Sequence, residues 1–259
     1  MRKHSSFSKA VFMGTIIFLS LPLIVLVIYS FNESKSGSWT GFSLRWYVKL
    51  FTASPQLWRA FANSAIVAIS SAFVSTVIGT LGAIAFNWYR FPTRSYLRLL
   101  SFMPMVLPEI IIGVSLLVFF AGVGIQLSLF TVFVAHVSFN LPFVFLLVLA
   151  RLEDFDFSIV EAARDLGATS RQALFRVILP ISTPGIVSGF LTAITLSLED
   201  FVITFFVTGP GATTLPLYVY SAIRFGVSPV INALSVVMIL GTIVLTWSTR
   251  NFLKSIAAK

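Results

Sequence analysis

The chain contains no cysteine, which excludes disulfides, thiolate catalysis and cysteine-based metal sites. Charge is equally sparse, at 10% of 259 residues, where a soluble globular domain carries roughly 25%. Only two histidines occur, and there is no H-E-x-x-H, no G-x-S-x-G and no glycine-rich loop ending in G-K-[ST]. The sequence therefore offers no catalytic constellation, and any ATP chemistry belongs to another chain. What is present is apolar: 57% hydrophobic residues, 27 of them phenylalanine, with a mean hydropathy of +0.96. Such a composition requires a membrane.

A helix crosses the hydrocarbon core with about 20 residues. Six runs satisfy that length, at Ala10 to Phe31, Ala60 to Trp88, Tyr96 to Gly122, Leu127 to Ala150, Pro184 to Val207 and Ile231 to Phe252. The expectation is an all-α membrane protein built as a single transmembrane domain over residues 1–259. The first run follows Arg2, Lys3 and Lys9 in the manner of a signal peptide, but it is too long and no small-x-small site closes it, so it is expected to stay as an anchor.

The net charge of +9 raises the question of nucleic acid, and the placement of the basic residues answers it. With the N-terminus in the cytoplasm, Arg2, Lys3, Lys9, Arg90, Arg94, Arg98, Arg151, Arg164, Arg171, Arg176, Arg250, Lys254 and Lys259 fall inside, leaving Lys35, Arg45, Lys49, Arg59 and Arg224 outside. Thirteen against five is a positive-inside bias. The charge thus reports topology and attraction to anionic lipid, with both termini cytoplasmic.

Two outer loops are long, Asn32 to Arg59 and Thr208 to Val230, and the turn between the third and fourth spans is short. On the inner side a basic turn at Tyr89 to Ser95 is followed by a long loop, Arg151 to Thr183. In that loop Ser158 with Glu161 fits a capping box, predicting a helix from near Ile159. Gly167 supplies a left-handed stop, Thr169 with Gln172 repeats the cap, and Pro180 is expected to end the second helix. The resulting helix-turn-helix has an apolar side, Leu174, Phe175, Ile178 and Leu179, and a basic side, Arg171 and Arg176. Such a surface suits a partner protein.

Acids inside spans cost roughly 2.5 to 3.5 kcal/mol on insertion scales and usually face a cavity. Glu109, Glu199 and Asp200 are the three. At about 1.5 Å per residue, Glu109 and Glu199 lie about 20 and 22 Å from the inner surface, so the acids share one layer. Glu199 and Asp200 are about 100° apart on a helix, and one of them faces the pathway more directly. His136 is the sole titratable partner inside the spans. Pro104 and Pro108 precede Glu109 and should kink the third span. Phe201, Phe205 and Phe206 follow the fifth-span acids, with Tyr218 and Tyr220 just outside; aromatic faces beside carboxylates suit an organic cation.

Each feature has a plainer reading beside it. The acids also serve as interhelical hydrogen-bonding partners, His136 is more simply structural, the phenylalanines pack or face lipid, and Glu161 caps a helix.

The loop Glu161-Ala162-Ala163-Arg164-Asp165-Leu166-Gly167, followed after nine residues by Val177-Ile178-Leu179-Pro180, resembles the EAA motif of ABC-importer membrane subunits, with Val177 where the family has Ile. The resemblance implies a type I ABC-importer permease fold. It also implies that Glu161, Ala162, Ala163, Asp165, Gly167 and Pro180 form the coupling element received by a separate ATP-binding cassette ATPase, a homodimer holding ATP and Mg, with no cofactor on this chain. A finer resemblance, to the second permease subunit of spermidine/putrescine importers (the PotC type), is carried by Tyr29-Ser30-Phe31-Asn32, Trp46-Tyr47, Leu107-Pro108-Glu109-Ile110, Thr195-Leu196-Ser197-Leu198-Glu199-Asp200, Phe206-Val207-Thr208-Gly209-Pro210 and Gly226-Val227-Ser228-Pro229 with Ile231-Asn232-Ala233. Glu109 and Glu199 stand where that family usually has Asp, and Val230 where it commonly has Glu.

This resemblance implies an inner-membrane polyamine importer with a second homologous permease and a periplasmic or lipid-anchored polyamine-binding protein. Glu109, Glu199, Asp200, Phe201, Phe205 and Tyr218 would line the substrate pathway. An importer of another cation, such as ferric ion or thiamine, shares the acidic layer. A self-contained secondary carrier would use the acids as a proton relay and has no use for an EAA loop.

Overall fold

The computed structural model describes residues 6–35, 38–88, 92–154, 156, 158–224 and 228–257, the stretch from 245 onward in backbone alone. Arg2, Lys3, Tyr89, Arg90, Gly226, Val227 and Lys259 of the sequence reading lie outside them, as do the side chains of Arg250 and Lys254. Among the described residues the regular structure is helical, with one isolated bridge between Asn32 and Phe42. Two compact units divide the chain, residues 1–56 with 219–259, and residues 57–218.

In the first unit, α1 (Ser6–Ser30) and the last helix, α12 (Pro229–Ala257), pack together, and the short α2 (Arg45–Thr52) packs on α12. The apolar window of α1 is buried nowhere in the chain itself, as expected of a helix whose solvent is lipid. Its C-terminal end is fixed by the two short aromatic motifs of the sequence. Ser30 Oγ lies 2.7 Å from Tyr47 Oη, the rings of Phe31 and Tyr47 sit 5.2 Å apart, and the buried Trp46 donates Nε1-H to the Asn32 carbonyl at 2.6 Å.

The second unit is a helix bundle. Its long members are α3 (Pro55–Trp88), α6 (Leu129–Glu153) and a continuous run from Ser170 to Glu199. This run comprises α8 (Ser170–Ala173), a single π-helical turn at Leu174–Ile178 and α9 (Leu179–Glu199). Small residues let α6 and α9 approach closely: a Cβ at Gly185 would stand 2.9 Å from Arg151 Cβ, and one at Gly189 would stand 3.1 Å from Val144 Cγ1. Gly185 and Gly189 are one helical turn apart, the small-xxx-small seam of membrane helices. Two apolar cores result. One holds Ala83, Phe86, Val144, Val148, Val160, Ile178 and their neighbours, and the other holds Val67, Phe120, Val132, Phe139, Ile203 and Val207.

Two of the six expected runs meet a correction. Among the described residues, four helices are long and apolar enough to cross a membrane, and a fifth results if the bent pair α4 (Arg94–Val106) and α5 (Glu109–Gly122) is one span. The last run, Ile231 to Phe252, lies wholly within α12 (Pro229–Ala257), whose side chains are described as far as Val244. The third run is broken rather than kinked: α4 and α5 meet at 103°. Leu107 and Pro108 are extended, with ψ of 136° and 132°, because a residue before proline avoids the helical region. Pro104 breaks nothing and lies within α4. The depth of about 20 Å for Glu109, which assumed a straight helix, is therefore withdrawn. The fifth run divides as well, into α9 and α10 (Val202–Val207), at Asp200.

Pro180 does not end a helix. Its missing N-H and its clash with the carbonyl four residues back are absorbed by the π turn immediately before it, where the Leu179 N-H reaches back five residues to the Leu174 carbonyl. The second helix of the inner loop and the fifth span are one rod.

Candidate functional site

The acids are parted by the break between α9 and α10. Asp200 is buried, 7% exposed, and caps α10: its carboxylate accepts the backbone N-H groups of Ile203 at 3.2 Å and Thr204 at 2.9 Å, and the Thr204 hydroxyl at 2.7 Å. Capping of this kind satisfies the orphan donors of a helix start. His136 of α6, 2% exposed, faces the same break. Its Nε2 lies 2.9 Å from Thr204 Oγ1 and 3.2 Å from Asp200 Oδ2, and its Nδ1 lies 2.6 Å from Ser197 Oγ. One imidazole thus holds the last turn of α9, the break and the first turn of α10.

The network extends through weaker links to α3. Ser71 Oγ donates to Ser197 Oγ at 3.5 Å, and Asn140 Nδ2 donates to Ser71 Oγ at 3.4 Å. The donor order is consistent throughout when His136 accepts at Nδ1 and donates from Nε2. Along α6 this polar layer, at His136 and Asn140, has Val132 of one apolar core before it and Val144 of the other after it in sequence. The sequence reading placed His136 as structural and missed Ser71, Asn140, Ser197 and Thr204 as its companions. Each is an ordinary helix residue in sequence, and only the crossing of four helices collects them.

Glu109 and Glu199 behave differently from Asp200. Both are exposed on the chain surface. Glu109 opens α5 with Pro108 as its cap. α5 lies against α10, and a Cβ at Gly113, one turn beyond Glu109, would collide with Phe206 Cδ2 at 2.7 Å. Phe201 and Phe205 stand 5.8 Å apart, and Phe205 meets Phe206 edge-on at 5.4 Å. Phe205 is 51% exposed. Glu109, Glu199 and the exposed ring of Phe205 therefore gather about one break. Tyr218 is half-buried on α11 (Leu215–Arg224), whose start is pinned to α3: the Leu215 N-H donates to Ser64 Oγ at 2.8 Å, and Asn63 Nδ2 donates to the carbonyls of Gly211 and Thr213 at 3.1 and 3.0 Å. That pinning was not foreseen.

The inner loop forms a second site. Its first helix, α7 (Ser158–Asp165), starts one residue earlier than expected, and Asp156 satisfies its first donor: the carboxylate accepts the Ser158 N-H at 3.0 Å. This hydrogen bond holds the Asp156 carboxyl below the usual aspartate range. Gly167 has φ +87° and closes α7 as a Schellman motif, with Ala168 N-H to the Ala163 carbonyl at 3.0 Å and Gly167 N-H to the Arg164 carbonyl at 2.8 Å. Thr169 and Gln172 form the expected reciprocal box, at 2.8 and 3.3 Å. Val160 is the buried foot of α7. Glu161, Ala162, Asp165 and Gly167 are exposed, Ala163 is half-buried, and Leu166 at the tip is 90% exposed.

The chain is similar to known transport proteins. Residues 75–258 match the family of binding-protein-dependent transport system inner membrane components. The chain is 39% identical over 234 residues to the spermidine/putrescine transport system permease protein PotC of Escherichia coli (strain K12), covering 90% of this chain and 88% of that one. It is 41% identical over 234 residues to the putrescine transport system permease protein PotI of the same strain, covering 87% and 83%. A bacterial ABC transporter involved in import of the acidic polysaccharide alginate shares the fold, with TM-score 0.75 at 17% identity over 97% of this chain and 98% of that one. The chain belongs to the family of binding-protein-dependent transport system inner membrane components, the membrane subunits of ABC importers.

Proposed function

We propose that this chain is one of two permease subunits of an ATP-driven polyamine importer of the inner membrane, with both termini cytoplasmic. The observation that carries the cargo is the extended identity with permeases of spermidine and putrescine systems, 39% and 41%. The site agrees with it: two exposed carboxylates, Glu109 and Glu199, stand beside exposed aromatic carbon at the α9-α10 break. In this reading Glu109 and Glu199 offset ammonium charge during passage, and Phe201, Phe205 and Tyr218 cover the methylene chain. Asp200 acts from within by holding the break. A separate binding protein delivers the cation.

The power comes from a partner. ATP and Mg reside in a homodimeric ATPase whose cleft receives α7, gripping Glu161, Ala162, Ala163, Asp165 and Gly167. The push passes through the continuous rod from Ser170 to Glu199 directly to the break.

The test is uptake of labelled spermidine and putrescine in cells lacking the subunit, complemented with this chain and its partners. Restored uptake is the expected result. Absent uptake of both amines with normal membrane levels overturns the polyamine assignment.

A further inference from the structure

At the inner end of the bundle, α3, α7 and α8 enclose a cleft of about 500 Å³. Its walls are Leu81, Ile84, Ala85 and Trp88 of α3, Arg164 of α7, Ser170 and Arg171 of α8, and Leu174 of the π turn. The α3 residues fall at i, i+3, i+4 and i+7, a single stripe along the helix. The Arg164 guanidinium lies over the Trp88 ring, 5.0 Å from its centroid, so the basic end of the cleft is at Trp88. Leu81 is two turns deeper, about 10 Å along the axis, and 58% exposed toward the surroundings of the bundle. Among the described residues the ion pairs are Arg98 with Glu153 and His136 with Asp200, and neither uses Arg164 or Arg171.

We propose that this cleft binds an anionic phospholipid of the inner leaflet, with its phosphate held between Arg164 and Arg171 and an acyl chain laid along Trp88, Ala85 and Leu81. The chemistry selects this occupant. A free phosphate or nucleotide would leave the apolar stripe uncovered, and an apolar peptide would leave two guanidinium groups facing carbon. A phospholipid supplies an anion at one end and a chain at the other. Basic pockets at the cytoplasmic end of membrane helices take anionic headgroups in this manner, and guanidinium matches phosphate in a forked geometry. Since Arg164 lies on α7, the bound lipid would tie the coupling helix to the composition of the leaflet.

The inference rests on the cytoplasmic placement of α7, and its test reads lipid binding rather than transport, so a wrong cargo leaves it untouched. The full chain, purified with its partner subunits, is loaded with phosphatidylglycerol or phosphatidylcholine of identical acyl chains, and retained lipid is measured by native mass spectrometry. Preference for phosphatidylglycerol of about tenfold is expected, falling to parity in the Arg164→Gln/Arg171→Gln double variant and sharply reduced in Leu81→Trp, which fills the acyl groove and leaves the charge unchanged. Equal retention of the two lipids by the unaltered complex overturns the proposal, and that comparison requires no variant to fold. Displacement of phosphatidylglycerol by millimolar inorganic phosphate alone, or undiminished binding in Leu81→Trp, would identify a free-anion site and overturn it equally. Reaction of the Leu166→Cys variant with an impermeant thiol reagent from the outer side would remove the topology on which it stands.

Discussion

At the scale of single residues, three acids of one apparent layer have two kinds of surroundings, and their substitutions should separate. Glu109→Gln and Glu199→Gln remove charge from exposed positions and are expected to lower polyamine uptake about tenfold, equivalent to roughly 1.4 kcal/mol in the barrier, at unchanged membrane levels. Asp200→Ala is expected to act on stability instead, because the N-H groups of Ile203 and Thr204 lose their acceptor inside the bundle, a loss of about 1 to 3 kcal/mol for each buried group left unpaired. Thermal unfolding of the purified complex and immunoblots of membranes distinguish the two. His136→Leu should resemble Asp200→Ala, since it removes the imidazole from the buried network around the Asp200 carboxylate, a loss of about 1 to 3 kcal/mol. Normal thermal stability in His136→Leu would refute that assignment.

At the scale of elements, the inner loop is a lever whose stiffness is set by its two ends. Gly167 has room for a Cβ, with nothing within 4 Å, yet its φ of +87° disfavours any side chain. Gly167→Ala should therefore cost on the order of 1 to 2 kcal/mol in the local stability of α7, and Gly167→Asn less, because asparagine tolerates the left-handed region. Hydrogen exchange of residues 158–165 reads both. The other end is pH-sensitive. Asp156 is held below its ordinary value by its bond to Ser158, so its capping contribution is complete above the ordinary aspartate pKa, about 3.9. It is lost as pH falls through the lowered folded value. Exchange protection of α7 should drop in that acid window, and in Asp156→Asn it should not depend on pH there. Pro180 belongs to the same lever through the π turn. Pro180→Ala removes the clash that the turn absorbs, and relaxation to regular α-helix would turn α8 by about 100° relative to α9. ATPase activity without uptake is the expected phenotype.

At the scale of the molecule, the bundle of residues 57–218 depends on close helix contacts at small residues rather than on a thick apolar filling. Gly189→Leu would drive a side chain into Val144, whose Cγ1 is 3.1 Å from where a Cβ would stand, and overpacking of this kind costs about 1 to 3 kcal/mol. Reduced recovery of the assembled complex from membranes, rescued by Val144→Ala, is expected. Failure of that rescue would locate the damage elsewhere. The wholly exposed apolar face of α1 fits a helix bathed in lipid, where burial within the chain brings no hydrophobic gain.

The sequence by itself determined whatever depends on local chemistry: the apolar lengths that demand a bilayer, the glycine stop at Gly167, the reciprocal cap of Thr169 and Gln172, and the EAA spacing that named the family. Capping and left-handed turns are settled within four or five residues, so they are legible in a string. Tertiary structure decided the rest. Pro108 and Pro180 are the same residue type in apolar runs, yet one accompanies a 103° break and the other sits in an unbroken rod, because a neighbouring π turn relieved the second. Glu199 and Asp200 are adjacent, yet one faces outward and the other is sealed against His136. Which of two neighbouring carboxylates is buried depends on what four separate helices present at that depth, and that information is distributed over residues 71, 136, 140, 197 and 204 rather than carried by any local pattern.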